Sequence, residues 1–168
     1  MNFDWELNGL PLHVLIVHAV VIMVPLAALC AVLTAFWPSA RRRLGVVTPL
    51  VALAALVLVP VAVQAGEWLQ SRLVTVTPLL GAHTSLGETM LPWAIVLFLA
   101  AVVQWVWYRS VVAEGARFAS ALPSRTGRLV ATVVLDLVVL VSAIGSVVTV
   151  ALIGESGSRA VWTGLFTS

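Results

Sequence analysis

Four stretches of the chain are almost unbroken runs of apolar residues, and the polar residues gather between them. The runs are Leu10 to Trp37, Val46 to Ala65, Thr89 to Tyr108 and Leu129 to Ile153, each bounded by Arg, Glu, Gly or Pro. A helix that crosses the hydrocarbon core of a bilayer needs about 20 such residues. Each run therefore predicts one membrane span. Residues 1–168 then form one domain, an all-α integral membrane bundle without a long linker, a low-complexity segment or a clear internal repeat. The first run does not read as a cleavable signal peptide. Asp4 and Glu6 stand where such a peptide is positive, and the apolar stretch is too long.

Arginine placement predicts the orientation. Arg41, Arg42 and Arg43 lie between spans one and two, and Arg109, Arg117, Arg125 and Arg128 lie around the link between spans three and four. Only Arg72 and Arg159 fall on the other side. The expected path is an up-down-up-down four-transmembrane-helix bundle with both connecting loops in the cytoplasm. Both termini, and the loop from Gly66 to Glu88, then face outward. Pro49 falls in the first turn of span two, where a missing N–H costs nothing. Pro25 and Pro60 fall inside spans and are expected to kink them. Ser142 and Ser146, with Gly145 and Thr149 beside them, form a small-residue stripe suited to close helix approach within the bundle. The stretch from Ser110 to Leu122 is too polar to span and reads as a short interfacial helix, with Val111, Phe118 and Leu122 toward lipid.

Composition closes off the other classes. Sixty-one per cent of the 168 residues are hydrophobic and 10% are charged, and the mean hydropathy is +1.10. A soluble domain carries roughly 45–50% apolar and about 25% charged residues. This chain lacks the polar surface to solvate a globule, so a soluble enzyme and a disordered chain are excluded. All nine cations are Arg, and the net charge of +2 is too small for a nucleic-acid footprint. The single cysteine, Cys30, has no partner for an internal disulfide and reads as a small buried hydrophobe.

The polar residues are divided along the membrane normal. His13, His18, Glu67, His83, Glu88 and Glu155 map to the outward half, which holds every histidine; Gln104 and Asp136 map to the inward half with the arginines. Polar groups inside a bilayer are costly and usually mark a site facing the bundle interior. His13 and His18 are five positions apart, about 140° around a helix and about 7.5 Å along it, so they cannot both serve one small metal. His83 lies either just ahead of a helix starting at Ser85, which has capping-box spacing to Glu88, or on a helix started earlier by Thr77-Pro78.

Two histidines from different helices of a bundle are a common way to hold haem b. His13 or His18 with His83 are the candidate ligands. Trp5, Trp68 and Trp93 fit either the wall of such a slot or an interfacial aromatic belt. A non-haem transition-metal site from His18 or His13, His83 and a carboxylate from Glu67 or Glu88 is the alternative. Asp136 lies about 10 Å inside span four, with Gln104 at similar depth on span three. A proton relay and simple pairing with Gln104 or Arg109 are both open to it.

The opening Leu10-Pro11-Leu12-His13 with Val17-His18, and the closing Gly154-Glu155-Ser156-Gly157-Ser158-Arg159-Ala160-Val161-Trp162, resemble a bacterial membrane family, domain of unknown function family 2231. Gly66-Glu67 closing span two and His83 opening span three fit the same pattern. Val14 and Ala19 replace residues usual in that family, and Glu155 stands where many members carry a histidine. The resemblance covers nearly the whole chain. It implies a four-helix domain in the bacterial cytoplasmic membrane, associated with electron-transfer modules such as Rieske domains.

Two functional expectations follow. One is haem or metal binding for electron transfer, with a redox partner on the outer face. The other is a non-catalytic accessory subunit of a larger, respiratory-type membrane complex, docking through the outward segments Met1–Gly9 and Ser156–Ser168. A transporter has too few helices and no paired discontinuous helices. The Ser85 and Ser156 regions show no evident base–nucleophile set in sequence for hydrolysis.

Overall fold

The computed structural model describes residues 5–112 and 124–163. Apart from one tiny hairpin and short connections, the described residues are helical, and four helical segments among them are long and apolar enough to cross a membrane. The expected interfacial segment falls mainly on residues 113–123, and so does Arg117; both lie outside the described residues, as do residues 1–4 and 164–168 of the expected docking tails.

The chain opens with strands β1 (Glu6–Leu7) and β2 (Leu10–Pro11), paired antiparallel around Asn8 and Gly9. Both turn residues have positive φ, 53° and 77°. Asn-Gly is the strongest short-range hairpin signal because both positions tolerate that conformation, and the span-based reading passed over it. The Leu12 amide then donates to the Trp5 carbonyl at 2.8 Å, which ties the hairpin to the start of the first long helix.

That helix, α1 (Leu12–Phe36), runs through Pro25 and ends ahead of Pro38. Trp37 is extended, as a residue before proline prefers, and α2 (Pro38–Leu44) starts with the proline in its first turn. Helix α3 (Val47–Ser71) passes through Pro60. The expected outward loop from Gly66 to Glu88 is largely helical instead. Helix α3 continues six residues beyond Ala65, and α4 (Pro78–Glu88) begins with Thr77 capping the Leu80 amide at 3.2 Å. The earlier of the two possible starts is the one used, and His83 lies on this helix.

Helix α5 (Met90–Trp107) is separated from α4 by Thr89 alone. Pro92 explains the break. It has no N–H for the Glu88 carbonyl four residues back, and its ring crowds that oxygen. A π-helical turn, Tyr108–Val112, follows α5. Helix α6 (Arg125–Trp162) has 38 residues, capped by the Ser124 hydroxyl. At 1.5 Å per residue it is about 57 Å long, well beyond the ~30 Å hydrocarbon core. The fourth apolar run is therefore the middle of a longer helix.

Helix α1 packs on α3 and α6, and α5 packs on the same two, so the four long helices form a ring with α1 opposite α5. Helix α4 lies chiefly on α6. The interior is built from small residues: Ala27, Ala31, Ala52, Ala65, Ala101 and Ala143 are all buried. Large side chains such as Ile22, Leu29, Leu99 and Val141 point outward. Alanine lines let helix backbones approach closely, which substitutes for the hydrophobic driving force that a lipid-facing bundle lacks. At Gly145 any added Cβ would overlap the Trp93 indole.

Candidate functional site

Polar side chains gather at the two ends of the ring. At one end, His13 in the first turn of α1 is half-buried and its Nδ1–H donates to the Ala62 carbonyl of α3 at 2.9 Å. The ring lies flat against Gly66, where a Cβ would stand 2.9 Å from His13 Cε1. On the other side, His83 of α4 lies against Gly157 of α6, where a Cβ would stand 2.9 Å from His83 Cε1. Its Nδ1 is 3.0 Å from the Ser156 hydroxyl. That hydroxyl has one proton, which it gives to the Ile153 carbonyl at 2.9 Å. Ser156 therefore accepts from His83 Nδ1–H. The Ile153 carbonyl is also within hydrogen-bonding reach of the ring.

The two seats have the same construction. His13 lies in the first turn of α1 and His83 midway along α4; each rests on a glycine near the end of a neighbouring helix, and each lies at the carbonyl four residues before that glycine: Ala62 before Gly66, Ile153 before Gly157. No repeat is visible in the sequence because the two histidines and the two glycines sit in unlike surroundings. In both rings Nδ1 carries the proton, so the neutral imidazole keeps its lone pair on Nε2. The imidazoles are near enough to interact electrostatically.

Other candidates stand apart from this pair. His18 is exposed, and its Nδ1–H donates to the Val14 carbonyl one turn back on its own helix at 2.5 Å. Glu67 and Glu88 are exposed. Among the described residues, no three His, Cys, Asp or Glu side chains group so as to hold a metal ion. The expected set of His18 or His13, His83 and a carboxylate from Glu67 or Glu88 is therefore not brought together, and His18, Glu67 and Glu88 are all exposed. Glu155 is exposed and pairs with Arg159 one turn on at 2.6 Å. Trp93, packed on Gly145, sits about 18 Å along α6 from Gly157. Trp68 carries the Arg72 guanidinium over its ring at 4.8 Å.

At the opposite end the side chains satisfy one another. The Tyr108 hydroxyl donates to Asp136, 2.9 Å from Oδ1 and 3.0 Å from Oδ2. The Arg41 guanidinium lies 3.3 Å from the Tyr108 ring centroid. It also donates to the last-turn carbonyls of α1, Nε to Thr34 at 2.9 Å and Nη2 to Ala35 at 2.6 Å. Gln104 is within hydrogen-bonding reach of Asp136, and its Nε2 donates to the Ala31 carbonyl at 3.3 Å. Thr34 and Thr48 pair through their hydroxyls at 3.1 Å. Arg109 is exposed. Sequence reasoning named Gln104 as a partner for Asp136 but missed Tyr108 and Arg41. The signal for Tyr108 was available: it is the single tyrosine, placed where span three ends.

Comparison of the chain with models of known protein families, with curated proteins and with solved structures finds no match. The reading of the site rests on these residues alone.

Proposed function

We propose that the chain is a bacterial membrane electron-transfer protein that holds haem b through Nε2 of His13 and His83. The matched anchoring of these two rings carries the reading. Metal-bound histidines almost always give their second ring N–H to a carbonyl or another acceptor, which fixes the tautomer and the ring orientation. Here Ala62 and Ser156 are those acceptors. Neutral imidazole is a normal axial ligand of haem iron. When bound, the haem would supply a one-electron couple. The chain's own part is to hold both imidazoles with their lone pairs available, to set their depth through Gly66 and Gly157, and to keep the surroundings apolar.

The finer architecture belongs to the same proposal. The contacts of His13 with the end of α3, of His83 with the end of α6, and of Tyr108 with Asp136 support an up-down-up-down path. The arginine distribution supports placing the histidine end, and both termini, on the outer face of the cytoplasmic membrane. A redox partner would then meet the protein on that face. Membership of domain of unknown function family 2231 is proposed on the opening and closing motifs.

The test is an oxidised and a dithionite-reduced absorbance spectrum of detergent-purified protein, with metal analysis of the same sample. A Soret band and sharp reduced α bands are expected. A folded, colourless, metal-free protein would overturn the cofactor reading in favour of an accessory subunit.

A further inference from the structure

Two fully buried polar atoms inside the bundle, Gln104 Oε1 and Ser146 Oγ, have no hydrogen-bond partner among the described residues. Both residues are 0% exposed. A buried polar atom left unpaired costs roughly 1–3 kcal/mol, and internal water is the usual partner. The two atoms are not isolated. Gln104 adjoins Asp136, and Ser146 belongs to a line of buried hydroxyls on α6 with Ser142 and Thr149. At about 100° per residue these three hydroxyls fall within about 60° of one another around α6. Along its axis, Asp136 to Ser142 is about 9 Å, Ser142 to Ser146 about 6 Å and Ser146 to Thr149 about 4.5 Å. Asp136 itself lies about 120° around α6 from Ser142, so the first gap is crossed by way of Gln104, which adjoins Asp136. Among the residues buried in the same core are the small Ala94, Ala101 and Ala143, beside the larger Met90, Leu97 and Val139.

We infer that the bundle axis is a proton path, entered at Asp136 and carried by waters held on Gln104 Oε1 and on the α6 hydroxyls toward the histidine end. The titratable and charged side chains that face Asp136 among the described residues are Tyr108 of the π-helical turn and Arg41 of α2. The step is a proton transfer alone. A hydronium at the arginine end gives its proton to an Asp136 oxygen, leaving water. The carboxylic acid passes that proton to the next water and is restored as carboxylate. Only O–H bonds form and break, and Tyr108 keeps its own proton. The inference goes beyond the cofactor reading and does not depend on it.

The full chain reconstituted in liposomes with an internal pH dye, under a potassium–valinomycin potential, tests the path. Proton entry is expected at least fivefold above protein-free liposomes. Asp136→Asn is expected to return it to the protein-free level, and Asp136→Glu to restore part of it. Ser146→Val, which fills the line without touching Asp136, is expected to lower entry at least threefold. Glu155→Gln at the exposed face of α6 leaves it unchanged. Wild-type entry at the protein-free level would overturn the inference, as would Asp136→Asn and Ser146→Val variants that are folded by circular dichroism and conduct like wild type. The spectrum of the same liposomes separates the two proposals. Asp136-dependent flux in colourless protein overturns the cofactor reading alone, and colour without Asp136-dependent flux overturns the path alone.

Discussion

The two ends of the bundle handle costly polar groups in opposite ways. At the histidine end, each imidazole spends its one N–H on a neighbouring helix, to the Ala62 carbonyl or the Ser156 hydroxyl. Each ring keeps a lone pair uncommitted. At the arginine end, Asp136, Tyr108, Arg41 and Gln104 are turned toward one another, and Arg41 also closes the end of α1. The first arrangement prepares groups for something from outside the chain. The second turns its groups on one another, with the Gln104 oxygen as its open edge. Burial alone would not have separated them, since His13, His83, Arg41 and Asp136 are all half-buried. The direction of each hydrogen bond does.

The sharpest way to break this comparison is to exchange its predictions. His83→Ala or His13→Ala is expected to abolish the haem spectrum, while Asp136→Asn and His18→Ala leave it in place. Colour that survives both single histidine substitutions would remove the distinction. A second, smaller effect is expected from Ser156→Ala. It removes the acceptor that orients His83, and supports of this kind typically matter 10–100-fold for metal affinity. Haem retention during dilution in detergent reads that loss. At the arginine end, Tyr108→Phe is expected to lower stability by about 0.6–1.7 kcal/mol, the range for hydrogen bonds between membrane helices. Thermal unfolding in detergent measures it, with the spectrum unaltered. The smallest effect belongs to neither end: Glu155→Ala removes an exposed pair one turn apart, and no more than about 0.5 kcal/mol is expected.

The four spans were legible because twenty apolar residues in a row have few other uses. Their limits were less so. Helix α3 continues through Gly66 and Glu67, and α6 through Gly154 and Gly157, because a helix emerging from a bilayer loses its apolar signal before it loses its hydrogen bonds. The three histidines could be named from sequence, but not sorted. His13 and His18 differ by half a turn of one helix, and only the neighbours decide that one meets Ala62 while the other returns to Val14. The Ser156–His83 contact joins residues 73 apart. Nothing local announces such a pair, so sequence alone could not place His83 beside Ser156. Because the serine proton is already directed to Ile153, the pair orients the histidine and does not activate the serine.

Helix α6 carries a residue of each end, Asp136 and Ser156, and no proline interrupts it. It is a stiff axle some 30 Å long between those two points. An axle cannot be turned at one end only. A turn of about 10° moves a side chain at its rim by about 1 Å, enough to swing the Ser156 hydroxyl out of line with the imidazole.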